Sequence, residues 1–437
     1  MSMSRQKPLP EECFRICNDV TSINKDKIPV SSIPHKGDVV YTESNVEIRI
    51  KDELGHGGEG YVYYTNSPFL AKIYKAENIT NRIKNKIELM LQKRIECDGI
   101  CYPVAALYNR QKEFVGYLMP LAKGKELQHC VFMPMLLSTK IPYRNWKKID
   151  LVKLSITILK KIEYLHDRNI IIGDINPNNI LVVSPEEVYF VDTDSFQVED
   201  YPCPVGTVNF TAPEIHEFLQ KEKEKGFGDF LRTKGNENFA VATLLFMLML
   251  PGKPPYAQQG GEDPVSNIKR MDFSYPYQGE SNKKTPEGPW RYMWSHLPPY
   301  IKEDFYKTFR KDEDYSLETY RLSVSDWIFE FEKYYNDYEN LVEFDKMSEE
   351  IFPERLKKYT TEDKIGYCEN CGREILMEKS DFGYCYNCYH TKTIGPSICK
   401  DCGKEFYLSR RDYKYYIDKE WNLPKRCEKC RHNKTHY

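Results

Sequence analysis

Short alternating apolar stretches fill the first part of the chain and give way to helical spacing further on. Val46-Glu-Ile-Arg-Ile50 alternates, Tyr61-Val-Tyr-Tyr64 is aromatic and β-branched, and Phe69-Leu-Ala-Lys-Ile-Tyr74 is apolar. All three read as strands. Residues 80–95 change period, with Ile83, Ile87, Met90 and Leu91 on one helical side. Tyr102-Pro-Val-Ala-Ala-Leu-Tyr108 and Phe114-Val-Gly-Tyr-Leu-Met119 return to strand. The pattern predicts a small sheet with one helix. From about residue 145 helices dominate. Leu151 to His166 carries apolar residues at helical spacing, and Phe239 to Leu250 is apolar on all sides, as a central buried helix requires. Val324 to Tyr335 is the last helix of this lobe.

These elements divide the chain. Residues 1–45 are polar with scattered Pro and Ser and read as an N-terminal arm, 46–335 as the two-lobed body, and 336–366 as a charged linker. Two cysteine modules follow, at 367–392 and 396–433. Cys13 and Cys17, at helical spacing in the arm, lack a second ligand pair and read as ordinary thiols.

Composition narrows the classes. Of 437 residues, 41% are hydrophobic and 14% aromatic, enough for a sizeable core and for about two to four domains. The formal net charge of −2 gives no global pull toward nucleic acid or acidic membranes. The start, Met1-Ser-Met-Ser-Arg-Gln-Lys-Pro8, lacks the apolar core of a signal peptide. The longest apolar run is too short for a bilayer, which takes about 20 residues. A cytoplasmic protein with no membrane partner is expected. Eight of the 14 cysteines form four C-x-x-C pairs, which fits zinc in a reducing compartment better than disulfides.

Candidate chemistry lies between the strands and the first long helices. Gly55-His-Gly57-Gly58-Glu-Gly60 fits G-x-G-x-x-G, but it runs into a strand, not into the helix of a dinucleotide fold. A glycine hairpin between strands lets backbone amides approach phosphate. Lys72 sits in an apolar strand where an unpaired ammonium is costly, so it needs an anion. Nucleotide phosphates would supply one, with Glu88 of the following helix as its positioning partner and Glu77 as the competing choice. Asp174-Ile-Asn-Pro-Asn-Asn179 and Asp192-Thr-Asp194 supply a carboxylate, an amide and a second carboxylate. Phosphoryl transfer from a metal–nucleotide uses those groups to face the acceptor hydroxyl and to hold divalent metal.

Taken in order, these motifs resemble the eukaryotic-like protein kinases over roughly residues 46–335. The resemblance implies an α+β, bilobal protein-kinase-like fold with a small antiparallel N-lobe sheet and a helical C-lobe. It implies Asp174 as catalytic-loop aspartate, Lys72 as phosphate-pairing lysine with Glu88, and Asn179 and Asp192 as Mg²⁺ ligands. ATP would be covered by Gly55, Gly57, Gly58, Gly60 and Val62. Leu70 and Leu181 would sandwich adenine, Met119 stands at the gatekeeper position, and Pro120, Leu121 and Ala122 edge the base. Gly206-Thr207 and Ala212-Pro-Glu214 close the activation segment, Thr207 aligning the acceptor with Asp174. Glu214 would pair with Arg321 structurally, and Glu237 replaces an aspartate at the start of the central helix. Gly261-Glu-Asp-Pro264, Gly288-Pro-Trp290 and Trp294-Ser-His-Leu-Pro298 look like one bacterial branch, whose members are often encoded near a metal-dependent phosphatase and a von Willebrand A-type protein.

The pattern also departs from the family. Ile172-Gly173 replaces the residues before the catalytic aspartate, so the arginine that grips an activation-loop phosphate is missing. Asn176 stands where a lysine helps neutralise the transferring phosphate, which predicts slow turnover. Thr193 and Asp194 replace the phenylalanine and glycine after the metal aspartate. Asp194 reads as a turn cap, or alternatively as a metal or hydrogen-bond contact.

Cys368, Cys371, Cys385 and Cys388 form one quartet, and Cys399, Cys402, Cys427 and Cys430 a second, each suited to structural Zn²⁺. They resemble zinc ribbons. A crossed pairing of the C-x-x-C units stays open, and His390 is a substitute ligand. Residues 396–437 hold eleven Lys/Arg against six Asp/Glu, interleaved with Tyr407, Tyr413, Tyr415, Tyr416 and Trp421. That reads as a protein-docking or supporting face, with nucleic acid as the alternative. The function expected is a Mg²⁺- and ATP-dependent protein serine/threonine kinase. The alternative is a nucleotide-binding scaffold that presents the cysteine modules to a protein or nucleic-acid partner.

Overall fold

The computed structural model describes residues 26–133, 145–278, 280, 283–340, 346–353, 365–370, 374–376, 383–384 and 386–432. The N-terminal lobe is an antiparallel sheet of β1 (Val39–Tyr41), β2 (Glu47–His56), β3 (Gly60–Thr65), β4 (Phe69–Tyr74), β5 (Ala105–Tyr108) and β6 (Phe114–Pro120). The strand order β1-β2-β3-β4-β6-β5 closes through a β1–β5 pair, Tyr41 opposite Tyr108. One face buries Val40, Ile48, Ile50, Ala71, Ile73, Val115 and Leu118. Helix α1 (Asn81–Lys93) is capped by Thr80, whose side chain accepts from the Ile83 amide.

The lobe begins earlier than residue 46. The Ile28 amide donates to Ile79 O at 2.9 Å, and β1 pairs with β2. A three-residue strand is too short for alternation to reveal, which is why the sequence placed it in the arm. Residues 1–25, with Cys13 and Cys17, lie outside the described residues.

The helical lobe is built on α2 (Lys148–His166) and α4 (Lys234–Met249), with α3 (Pro213–Lys221) between them. Leu151, Leu154, Ile158, Ile162 and Leu165 of α2 are fully buried, at the spacing of a single helical stripe. From Asn236 to Met249, α4 is buried on every side. Its start is marked by Thr233, whose hydroxyl accepts from the Asn236 amide while Asn236 Oδ1 accepts from the Thr233 amide. Helices α5 (Pro264–Arg270), α6 (Trp290–Ser295), α7 (Pro299–Phe309) and α8 (Val324–Asn340) complete the lobe, α8 packing on α2.

Helix α8 thus runs into the expected linker. A short α9 (Lys346–Glu349) is tied back by Lys147 to Glu349 at 3.1 Å, and Ile351 is buried in the same core. Charge density suggested a spacer here, but a few apolar residues dock it. Residues 341–345 and 354–364 lie outside the described residues.

Between the lobes run the short strands β7 (Lys125–Glu126), β8 (Ile170–Ile171), β9 (Ile180–Val182), β10 (Val188–Phe190) and β11 (Gln197–Val198). Pairing of β7 with β9, β9 with β10, and β8 with β11 fixes the loops that carry Asp174, Asn179 and Asp192. The C-terminal part contains the pairs β12 (Ile365–Tyr367) with β13 (Glu374–Leu376) and β14 (Lys392–Ile398) with β15 (Glu405–Ser409). It adds helices α10 (Tyr386–His390), α11 (Arg410–Asp418) and α12 (Glu428–His432). Among the described residues no helix is long and apolar enough to cross a membrane.

Candidate active site and metal centre

Cross-strand partners share a face of a sheet. Val62 lies opposite Lys72, Lys72 opposite Tyr117, and Leu70 opposite Met119. Leu70 and Lys72 are two apart on β4, so Val62, Leu70, Lys72, Tyr117 and Met119 share one face. Lys72 identifies that face as the one turned to the helical lobe, because its ammonium meets Asp192 at 2.9 Å. Leu181 lies on β9, paired with Tyr189 and Glu126. Leu121, just past β6, is 41% exposed at the rim. The glycine hairpin closes by Gly57 N donating to Gly60 O at 2.9 Å. A Cβ at Gly60 would lie 2.3 Å from Ile73 O, so only glycine lets the loop approach β4 there, whereas Gly55, Gly57 and Gly58 face open space.

Lys72 does not pair with Glu88. Its ammonium meets Asp194 Oδ1 at 2.8 Å and Oδ2 at 2.7 Å, Asp192 Oδ1 at 2.9 Å and Glu59 Oε2 at 3.2 Å. Glu88 instead lies 3.7 Å from Lys84, one turn back on α1, with 40% of its side chain exposed. The turn-cap reading of Asp194 is likewise corrected, since its carboxylate is spent on Lys72 and on the Tyr74 hydroxyl at 2.7 Å. Burial opposes charge on both partners, yet each holds the other ionised. Asp194 stays below the ordinary carboxylate range, and Lys72 well above the ordinary ammonium value.

The segment around these carboxylates is strongly constrained. Asp192 has left-handed backbone, φ 56° and ψ 39°, a conformation that costs energy in a non-glycine residue and is common at functional sites. The Thr193 hydroxyl donates to Cys101 O at 2.9 Å, and Ser195 Oγ to Asp192 O at 2.8 Å. The Val191 amide donates to Asn179 O at 3.0 Å, setting Asn179 beside Asp192. Oxygen atoms of Glu59, Asp192 and Asp194 come within 4.8 Å of one another. Hard oxygen donors of this kind suit Mg²⁺, and since Asp194 is engaged by Lys72 and Tyr74, Asp192 is the one that fits it beside Asn179.

Asp174 is buried, and its Oδ1 accepts from the Thr207 hydroxyl at 2.8 Å. Asn176 Nδ2 donates to the same hydroxyl at 3.1 Å. The loop before Asp174 hangs on Glu237, whose carboxylate accepts from the amides of Ile172 and Gly173 and lies 2.9 Å from His166 Nε2. Gly173 has φ +76°, and a Cβ there would lie 2.4 Å from Cys203 Cβ. Arg232 fills the neighbouring space and donates to Cys203 O at 3.0 Å and Val205 O at 2.6 Å. Arg321 binds Glu214 through two contacts of 2.6 and 2.8 Å. The pair stays ionised despite burial, with Glu214 below and Arg321 above its ordinary value. The sequence reading missed Glu59, Tyr74, Cys203 and Arg232. Only Glu59 carried a signal, as a carboxylate inside a glycine loop.

In the C-terminal module the sulfurs of Cys399, Cys402, Cys427 and Cys430 all lie within 4.8 Å of one another. Cys402 and Cys427 are 3.8 Å apart, close to the edge of a tetrahedron with Zn–S of about 2.3 Å. The four thiols are unbridged, which fits Zn²⁺. Sequential pairing therefore holds for this quartet, and His390 is not among its members. Cys399 and Cys402 sit in the turn of the β14–β15 hairpin, where Gly403 has φ +69°. Cys427 and Cys430 sit at the start of α12. A ribbon would place its second pair in another hairpin. A hairpin knuckle followed by a helix is a treble clef, which corrects the ribbon expectation. Of the first quartet, Cys368 and Cys388 are described, and Cys371 and Cys385 lie outside the described residues. Arg410 joins the two modules, donating to Asn370 Oδ1 at 3.2 Å and stacking 4.3 Å over the Tyr384 ring.

Comparison with known proteins agrees with this geometry. Residues 48–303 match the protein kinase domain family, and residues 396–436 match a family described as a probable treble clef domain. The chain is 26% identical over 302 residues to Protein kinase YegI of Escherichia coli O157:H7, covering 66% of this chain and 45% of that protein. The YegI protein of strain K12 is likewise 26% identical over 304 residues. Meiosis-specific serine/threonine-protein kinase mek1 of Schizosaccharomyces pombe is 24% identical over 242 residues, 51% of this chain and 49% of that one. The chain thus spans about half the length of these relatives. By its matched domain, and with a treble-clef zinc-binding module at its C-terminal end, the chain belongs to the protein kinase family.

Proposed function

We propose that the chain transfers the γ-phosphoryl group of ATP to serine or threonine hydroxyls of a protein. The observation that carries this is the Lys72–Asp192 contact of 2.9 Å across the two lobes, beside an Asp174 carboxylate already holding a hydroxyl. Lys72 and the amides of the Gly55–Gly60 loop bind the phosphates. Val62, Leu70, Met119 and Leu181 enclose the base, with Leu121 at its edge. Asn179 and Asp192 would hold Mg²⁺, which neutralises phosphate charge when bound. Asp174 orients the acceptor hydroxyl and takes its proton, while Thr207 keeps the carboxylate aimed. Catalysis is then positioning and electrostatics, without a covalent enzyme intermediate. Ser/Thr specificity draws on the printed name of the yeast relative. A metal-dependent phosphatase and a von Willebrand A-type protein are proposed partners on the resemblance of residues 261–264, 288–290 and 294–298 alone.

A second reading, the silent scaffold, is favoured by one observation. Asn176 is held on the Thr207 hydroxyl, and a neutral amide stabilises a transferring phosphate less than a lysine would. Incubation with Mg²⁺, γ-labelled ATP and a generic protein acceptor separates the two. Label transferred by the wild type and lost in Asp174→Ala and Asp192→Ala supports the kinase. Nucleotide binding without transfer supports the scaffold.

A further inference from the structure

We infer that Asp194 does for Lys72 what a helix glutamate does in the kinases this chain resembles, so that the position of the ammonium is set by the segment after β10 and not by α1. The inference rests on the kinase reading, because it assigns Lys72 to phosphate.

Three observations converge on it. First, both Asp194 oxygens contact Lys72, at 2.8 and 2.7 Å, and Oδ2 also accepts from the Tyr74 hydroxyl. The side chains are 4% and 8% exposed, so the pair is held in low dielectric where a carboxylate orients an ammonium strongly. Second, the turn that carries Asp194 is pinned. Thr193 is anchored to Cys101 O, Ser195 Oγ to Asp192 O, and the Phe196 amide to Thr193 O at 3.1 Å. Asp194 therefore acts as a fixed post. Third, α1 has no carboxylate to offer. Glu88 is its one acidic residue, and it faces Lys84 with 40% of its side chain exposed. The buried positions of α1 are Lys86, Ile87 and Met90. The charged one has the same sign as Lys72, and its ammonium is directed at Pro202 O, 3.4 Å away.

The consequence concerns control. Where a helix glutamate holds the lysine, activity requires that pair to be in place, and helix position governs it. Here, displacing α1 leaves Lys72 with its counter-ion. Asp194 is a positioning residue, acting on phosphate only through Lys72.

The test uses the full zinc-loaded chain in three forms, wild type, Asp194→Asn and Glu88→Gln. Two quantities are read. One is kcat and KM for ATP. The other is the rate at which an N-hydroxysuccinimide ester acylates Lys72 in nucleotide-free protein, followed by peptide mass spectrometry. Asp194→Asn is expected to lower kcat on the order of a hundredfold, the scale for removing one preorganised electrostatic partner. It is also expected to raise the rate of Lys72 acylation, because the side chain is no longer clamped by both oxygens of one carboxylate and is freer to meet the reagent. Glu88→Gln is expected to leave both unchanged. Unchanged kcat and acylation in Asp194→Asn would overturn the inference, as would a tenfold loss of kcat in Glu88→Gln. If the wild type transfers no label, the kinase reading fails, while acylation still decides which carboxylate holds Lys72. Should Asp194→Asn not fold, Tyr74→Phe removes the phenol that steadies Oδ2. Faster acylation in that variant supports the pairing, and an unchanged rate counts against it.

Discussion

The Thr207 hydroxyl donates to Asp174 Oδ1 at 2.8 Å while accepting from the Asn176 amide. One hydroxyl thereby joins the activation segment to the catalytic loop, and Asp174 is aimed before any acceptor arrives. Thr207→Val keeps the shape and removes the donor. It should lower kcat by up to about a hundredfold, the cost of a misplaced reacting group, with KM for ATP unchanged. Thr207→Ser should retain most activity. Equal kcat in wild type and Thr207→Val would rule out the alignment role.

Glu59 Oε2 lies 3.2 Å from Lys72, inside the glycine loop where phosphate is expected. If the proposed nucleotide site is right, its phosphates displace this carboxylate. Glu59→Gln should therefore tighten ATP binding by up to about fivefold, since half-exposed ion pairs are worth at most ~1 kcal/mol. Isothermal titration would reveal it, and weaker binding in the variant would instead mark Glu59 as a nucleotide ligand.

Arg232 holds the activation segment by the carbonyls of Cys203 and Val205. A segment ordered by backbone contacts has no need of a phosphate. Treatment with a protein phosphatase should leave the wild-type rate unchanged. Arg232→Met should speed amide hydrogen exchange across residues 199–207 and lower activity. A wild-type rate that collapses on dephosphorylation would contradict this account.

Lys148 is buried and donates to Met249 O at 2.8 Å, and burial pushes its ammonium down to about 7. Its unfolded value is 10.5. Between these values the unfolded chain binds a proton that the native state does not, so this group makes stability rise with pH across that window. Lys148→Met removes the penalty. It should stabilise by a few kcal/mol at about pH 6–7, less the cost of leaving Met249 O without its donor. The gain should vanish near pH 10.5. Melting temperatures of both proteins across that range give the difference directly.

The four sulfurs around Cys427 make one closed site. Cys427→Ser should reduce bound zinc by one equivalent per chain, measured by elemental analysis. The module should melt at lower temperature with the unfolding of residues 48–303 unaffected. Undiminished zinc would place the metal elsewhere.

The strands, the long helices and the order of Lys72, Asp174, Asn179 and Asp192 were legible because hydrophobic period and motif spacing are local properties. β1 escaped because three residues cannot display a period. The docking of Ile351 and Phe352 escaped because a few scattered apolar residues in a charged run make no pattern. The Lys72 partner was misassigned for a different reason. Several carboxylates flank the motifs, and only three-dimensional placement distinguishes Asp194, 122 residues away, from Glu88 on the next helix. Arg232 was invisible for the same reason, as its targets are backbone carbonyls that leave no trace in side-chain identity. The second cysteine quartet was readable as a metal site, but whether Cys427 begins a hairpin or a helix depends on the few residues around it.

The space beside Gly173 is already taken, by the Cys203 side chain and the Arg232 guanidinium. An arginine introduced at 173 would collide with both and would inherit a backbone angle that suits glycine. Regaining a phosphate-gripping residue at that point would require concerted change at 173, 203 and 232. A single substitution at 173 therefore leads to strain, so a phosphate switch cannot be built into this loop one residue at a time.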